Sequence, residues 1–224
     1  MKVSIFISCL FISIQSFSQT VYPYDKWKIE ELSLATNYKT IAFMDSTERE
    51  ILFYSNLVRI NPKLFCKTYL QEYIDLNELA ISNSYISSLI GTLNTLKSRK
   101  VLQPDANLFE MAKDHATSMG VKGMVGHTGF EKRSAKYFKN KFNGTGENCS
   151  YGHEKSIDIF MSLLIDDGVP SLGHRNNLLT SGFTAVGISM QPRKIYGSNC
   201  VMDFGFQSTL IIRKTFIQKL LFWK

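Results

Sequence analysis

The sequence has little of what holds small or fibrous scaffolds together. Four cysteines in 224 residues are too sparse for a cystine-knit module, and there is no short-period repeat or low-complexity block. Lysine and arginine are scattered rather than run together. The formal net charge of +7 therefore speaks for plain solubility over nucleic-acid binding. Standard catalytic signatures are also missing. His153-Glu154 is not followed by histidine at the fifth position, which excludes a zincin helix. Neither a Gly-x-Ser-x-Gly elbow nor a phosphate-binding glycine loop ending in Lys-Ser/Thr occurs. What is present is globular: 44% hydrophobic, 12% aromatic and 20% charged residues. At about 100–200 residues per domain, that is one domain with appendages, long enough to bury roughly 70% of its unfolded surface.

Both ends differ from the middle. Met1 to Gln19 reads as a secretory signal: Lys2 supplies the positive start, and Val3–Ile14 is apolar but too short and interrupted for a comfortable membrane span. The alternative is an uncleaved anchor. Cleavage near Gln19 removes Cys9 and Lys2, leaving Cys66, Cys149 and Cys200, so at most one internal disulfide can form. At the other end, Leu210–Lys224 interleaves apolar residues with Arg213, Lys214, Lys219 and Lys224. Such a basic amphipathic tail can lie on a membrane surface or pack on the domain.

Between the ends, Ser46 or Thr47 can cap a helix that Pro62 stops. Helices are predicted over Leu64–Leu76 and Ser84–Leu96. Another starts at the N-cap Asp105, carries the stripe Leu108, Met111, Ala112, His115 and Met119, and can end at Gly120. A glycine-dense stretch follows and reads as loop. Ile157–Ile165 reads as helix, and Phe183–Met190 and Asn199–Phe206 as two strands joined through Gln191–Asn199. Helices first and strands late predict an α+β domain with helices flanking a sheet.

The chemistry-bearing residues cluster late. His127 sits in Gly126-His127-Thr128-Gly129, Glu147 in Gly146-Glu147-Asn148-Cys149, and His174 in Gly173-His174-Arg175. If they converge, two imidazoles and a carboxylate suit a divalent metal such as zinc; otherwise each bonds loop backbone. Asp166 and Asp167 can share a proton or cation, or cap the turn that follows. His115 lies on an apolar stripe and reads as core or cleft wall, and His153 as solvent-facing. Cys149 can be a nucleophile beside His127 or His174, or pair with Cys200; Cys66 reads as a buried thiol.

In order and spacing these residues resemble the CAP superfamily (SCP domain; cysteine-rich secretory, antigen 5 and pathogenesis-related proteins), in its bacterial branch. The carrying stretches are Leu102-Gln103-Pro104-Asp105, His115-Ala116, Gly126-His127-Thr128-Gly129, Gly146-Glu147-Asn148 with Tyr151-Gly152, Asp166 through Leu179, Val186-Gly187-Ile188, and Cys200 through Phe204. The resemblance implies an α-β-α sandwich with a large cleft lined by two histidines and two acids. By motif these fall on His127, His174 and Glu147, with Asp166 or Asp167 as the second acid. It implies zinc or another divalent ion on the two histidines in some relatives, sterol or lipid binding, host interaction, and no shared reaction. This chain lacks the several disulfides of the eukaryotic members.

The resulting expectation divides the chain into signal 1–19, extension 20–45, CAP domain 46–208 and tail 209–224. It describes a secreted or periplasmic cleft-based binding module for a lipid, small hydrophobic ligand or protein partner, with an optional divalent metal and no nucleic acid. The alternative is a metal-assisted peptide or ester hydrolase with Glu147 as general base.

Overall fold

The computed structural model describes residues 24–36, 41–138, 141–195 and 197–206. The expected signal 1–19 and basic tail 209–224 lie outside the described residues. After a single 3-10 turn at Tyr24–Lys26 come the helices α1 (Ile29–Ala35), α2 (Ser46–Ile60) and α3 (Pro62–Phe65). A π turn at Cys66–Leu70 leads without a break into α4 (Gln71–Leu76), and α5 (Ser84–Thr95) follows. The rest of the chain alternates helix and strand: β1 (Gln103–Pro104), α6 (Ala106–Lys122), α7 (Phe130–Phe138), β2 (Gly144–Tyr151), α8 (Ser156–Ile165), α9 (Gly173–Leu179), β3 (Ala185–Pro192) and β4 (Ser198–Phe206).

The four strands form one sheet in the order β1-β3-β4-β2. β3 and β4 are an antiparallel hairpin, β2 is antiparallel to β4, and β1 is parallel to β3. Helix α6 covers one face, and α2, α8 and α9 cover the other. This is the expected α+β, α-β-α sandwich. The larger core lies on the α2/α8 side, around Tyr54, Leu57, Tyr69, Phe160, Leu164, Ile188 and Met202. Trp27 and Ala35, in the stretch set apart as an extension, belong to that same core.

Several local details differ from expectation. Asp45, one residue before the expected caps, starts α2: it accepts from the Glu48 backbone N–H, and Glu48 accepts from that of Asp45, both at 2.8 Å. Helix α6 ends at Gly123, whose φ of +66° suits glycine at a left-handed cap, and not at Gly120. The glycine at 187 has a packing reason: a Cβ there would fall inside the backbone of Leu108 and Phe109, so α6 lies directly on β3.

Two buried guanidiniums hold the layers together. Arg59 on α2 donates to the carbonyls of Lys100, Leu178, Thr180 and Phe183 at 2.7–2.9 Å. Arg175 on α9 donates to the carbonyls of Leu164, Ile165 and Tyr85 and to the Ser88 hydroxyl. Burial brings Arg59 down to about 10.

Of the alternatives left open for Cys149, pairing with Cys200 does not occur; Cys66, Cys149 and Cys200 are all free thiols. The strand register gives the reason. Cys149 lies opposite Val201 and Cys200 opposite Ser150, an offset of one residue. Successive side chains leave a strand on opposite faces. Cys149 therefore packs with Ala112 and Ala116 under α6, and Cys200 joins the core on the other side.

Candidate functional site

The site forms where the glycine-rich stretch, expected to be loop, becomes α7 and β2, and where α9 follows α8. Glu147 is on β2, paired with β4, and its side chain is 2% exposed on the face beneath α6. Its Oε1 accepts from His127 Nδ1 at 2.8 Å, and its Oε2 accepts from Arg133 Nη2 on α7 at 2.5 Å. Arg133 also donates to the Thr128 carbonyl, tying the Gly126–Gly129 turn to α7. Burial opposes the Glu147 charge, but His127, His115 and Arg133 outweigh it and hold the carboxyl below its usual range.

The second half is built at the junction of α8 and α9. Asp166 adopts φ +58° at the end of α8 and turns its carboxylate onto the start of α9. It accepts from the backbone N–H groups of His174 (2.9 Å) and Arg175 (3.1 Å) and from His174 Nδ1 at 2.7 Å. Asp167 points elsewhere, accepting from Asn83 at 3.0 Å. Of the two aspartates, only Asp166 reaches the histidines. The halves are joined through Asn148, which donates to the His174 carbonyl and accepts from Asn177.

The rings of His127 and His174 come together at 6.3 Å between centroids. A carboxylate can only accept, so each ring donates from Nδ1, and Nε2 is left with a lone pair. That arrangement fits a divalent cation, because metal-ligating histidines commonly donate their other ring N–H to a carboxylate. The side chains are 49% and 22% exposed, so the pair is reachable from solvent.

A second group of potential ligands lies deeper. His115 Nε2, a Glu147 oxygen and the Cys149 sulfur lie within 4.8 Å of one another, all buried. These groups fit a cation poorly. His115 Nε2 donates to the Gly126 carbonyl at 2.9 Å, and burial holds the ring below the usual histidine range. Glu147 is fully engaged, and burial and the Glu147 charge push the Cys149 thiol far up. The same facts remove the nucleophile reading. Cys149 is 3.7 Å from His127 Nδ1, but that nitrogen already carries the proton given to Glu147. His153 is exposed, as expected.

Two contributors to the site were not singled out as such from the sequence. Arg133 gave no signal beyond its place in a basic amphipathic stretch. Asp203 had one: a lone acid within the apolar run Cys200–Phe204. It is fully buried directly opposite Glu147, with neither oxygen hydrogen-bonded to a donor. Burial and the Glu147 charge push its carboxyl well above the usual range, against the pull of Arg133.

Residues 95–204 match the model of the cysteine-rich secretory protein family, CAP. Over that stretch the chain is similar to that family. No curated protein shows significant similarity to it. Among solved structures it is similar to an outer surface protein from Borrelia burgdorferi, at 26% identity and a TM-score of 0.42, over 60% of this chain and 93% of that one. It is also similar to a cysteine-rich secretory protein from Staphylococcus aureus subsp. aureus Mu50, at 16% identity and a TM-score of 0.37, over 55% of this chain and 38% of that one. Among the described residues no helix is long and apolar enough to cross a membrane.

Proposed function

We propose that the chain is an exported binding module that takes a divalent cation, such as zinc, through His127 and His174 and uses it to hold a guest. One observation carries this reading. Each imidazole has its Nδ1 fixed on a buried carboxylate, Glu147 or Asp166, which orients Nε2 as the ligand atom. Two neutral ligands leave coordination positions open, whereas structural zinc sites are closed by four protein ligands. The open positions suit an oxygen-bearing group of a lipid, small ligand or protein partner. Met1 to Gln19 supports export.

The hydrolytic alternative has less support. A general base needs a free oxygen and a proton affinity near the working pH. Glu147 has both oxygens engaged and is held below its usual range. Its part is to position His127.

Calorimetric titration with zinc tests the reading. Wild-type protein binds one ion per chain, and His127→Asn/His174→Asn loses that binding while keeping its circular dichroism. Equal binding by both proteins, or none by wild type, overturns it.

A further inference from the structure

Beside the metal candidate, a cavity of about 600 Å³ opens between α6 and α7. That size is in the range of small-ligand pockets. Its charged lining is lopsided: Lys122, Lys132, Arg133 and Lys136 against the single acid Asp114. Asp114 is already taken by Lys136 at 3.3 Å and by the Tyr137 hydroxyl at 3.1 Å. Arg133 spends one nitrogen on Glu147 and one on the Thr128 carbonyl, and its Nε is buried without a partner. Lys122 and Lys132 form no ion pair among the described residues. The Ser118 and Thr128 hydroxyls add neutral donors to the wall.

We propose that this cavity binds the phosphate or sulfate group of a small anionic ligand. A surplus of cations around a concave space, with Lys122 and Lys132 lacking an ion-pair partner among the described residues, focuses potential on an anion. Hydroxyl and ammonium donors match the acceptor-only oxygens of such a group. The anion comes either on a soluble ester or on a lipid headgroup. Val121, Met124 and Val125, exposed and close to Lys122 in sequence, offer apolar surface that only the lipid source would use. The proposal stands apart from the metal reading, because neither His127 nor His174 lines the cavity.

The test has two arms and one variant, Lys122→Glu/Lys132→Glu. Both side chains are exposed, so the reversal leaves the fold intact; Lys63→Glu/Lys97→Glu, on exposed positions elsewhere, matches the change in net charge. Inorganic pyrophosphate is titrated by calorimetry. Sedimentation with phosphatidylglycerol–phosphatidylcholine vesicles, against phosphatidylcholine alone, forms the second arm. Saturable pyrophosphate binding, weakened on the order of tenfold or more in the cavity variant and unchanged in the control, supports the proposal. Added vesicle binding that pyrophosphate displaces assigns the lipid source; pyrophosphate binding without vesicle binding assigns the soluble one. No saturable binding in either arm, or equal loss in both variants, overturns it. Zinc titration of the cavity variant keeps the wild-type affinity, so a failure here is separable from a failure of the metal reading.

Discussion

Glu147 and Asp203 face each other across the β2–β4 ladder on one buried face of the sheet, with Arg133 as the guanidinium ion-paired to Glu147. Two carboxylates so placed cannot both ionise cheaply, so Glu147 keeps the charge and Asp203 keeps the proton.

A pH profile follows from that pair. Asp203 holds its proton more tightly in the fold than in the unfolded chain. Its contribution therefore lowers stability as pH rises, starting near the unfolded aspartate value of about 3.9, with a slope of up to about 1.4 kcal/mol per unit. Glu147, held low, acts at the acid end and adds stability that is lost as pH falls. Asp203→Asn mimics the neutral acid. Urea unfolding from pH 4 to 8 is expected to show the variant gaining on wild type as pH increases. Parallel profiles contradict the assignment.

The thiols are expected to be silent in the folded protein. Cys149 and Cys200 are buried on opposite faces, and burial pushes both thiols up. Iodoacetamide at neutral pH should leave Cys66, Cys149 and Cys200 unmodified until denaturant is added, and reductant should not move the melting temperature. A Tm lowered by reductant contradicts the free-thiol arrangement.

Arg59 is expected to be among the costliest single losses. Its guanidinium serves four carbonyls from inside the core, and Arg59→Met strands them. Each unsatisfied buried acceptor costs about 1–3 kcal/mol, so a loss of at least about 3 kcal/mol is expected. Arg59→Lys keeps the charge with fewer donors in a different geometry and should fall between the two. Urea midpoints rank the three proteins; a Met variant as stable as wild type refutes the clamp.

Much of this architecture is legible in the sequence where apolar periodicity and capping agree. Asp105 with the stripe from Leu108 to Met119 marks α6, and Ile157 to Ile165 marks α8. β2 was not legible, because Gly144-Thr145-Gly146-Glu147 has no alternating pattern; its pairing with β4 makes it a strand. The three residues His127, Glu147 and His174 stood out beside their glycines. What joins them is tertiary. Arg133 arrives from a helix hidden in a polar stretch, and Asp166 earns its contact through a left-handed backbone no periodicity signals.

Asp166→Asn separates orientation from ligation. An amide oxygen can still cap α9, but the imidazole of His174 loses its anionic partner. Zinc affinity should fall by about 10–100-fold with stoichiometry kept at one, by calorimetry. Unchanged affinity means that Asp166 serves only as a cap.

The most direct test is the absorption spectrum of the cobalt(II)-loaded protein. The account predicts a nitrogen- and oxygen-ligated ion, with no thiolate charge-transfer band and a spectrum unaltered by Cys149→Ser. A thiolate band that Cys149→Ser abolishes would place the ion on the buried His115, Glu147 and Cys149 instead, and would contradict ligation by His127 and His174.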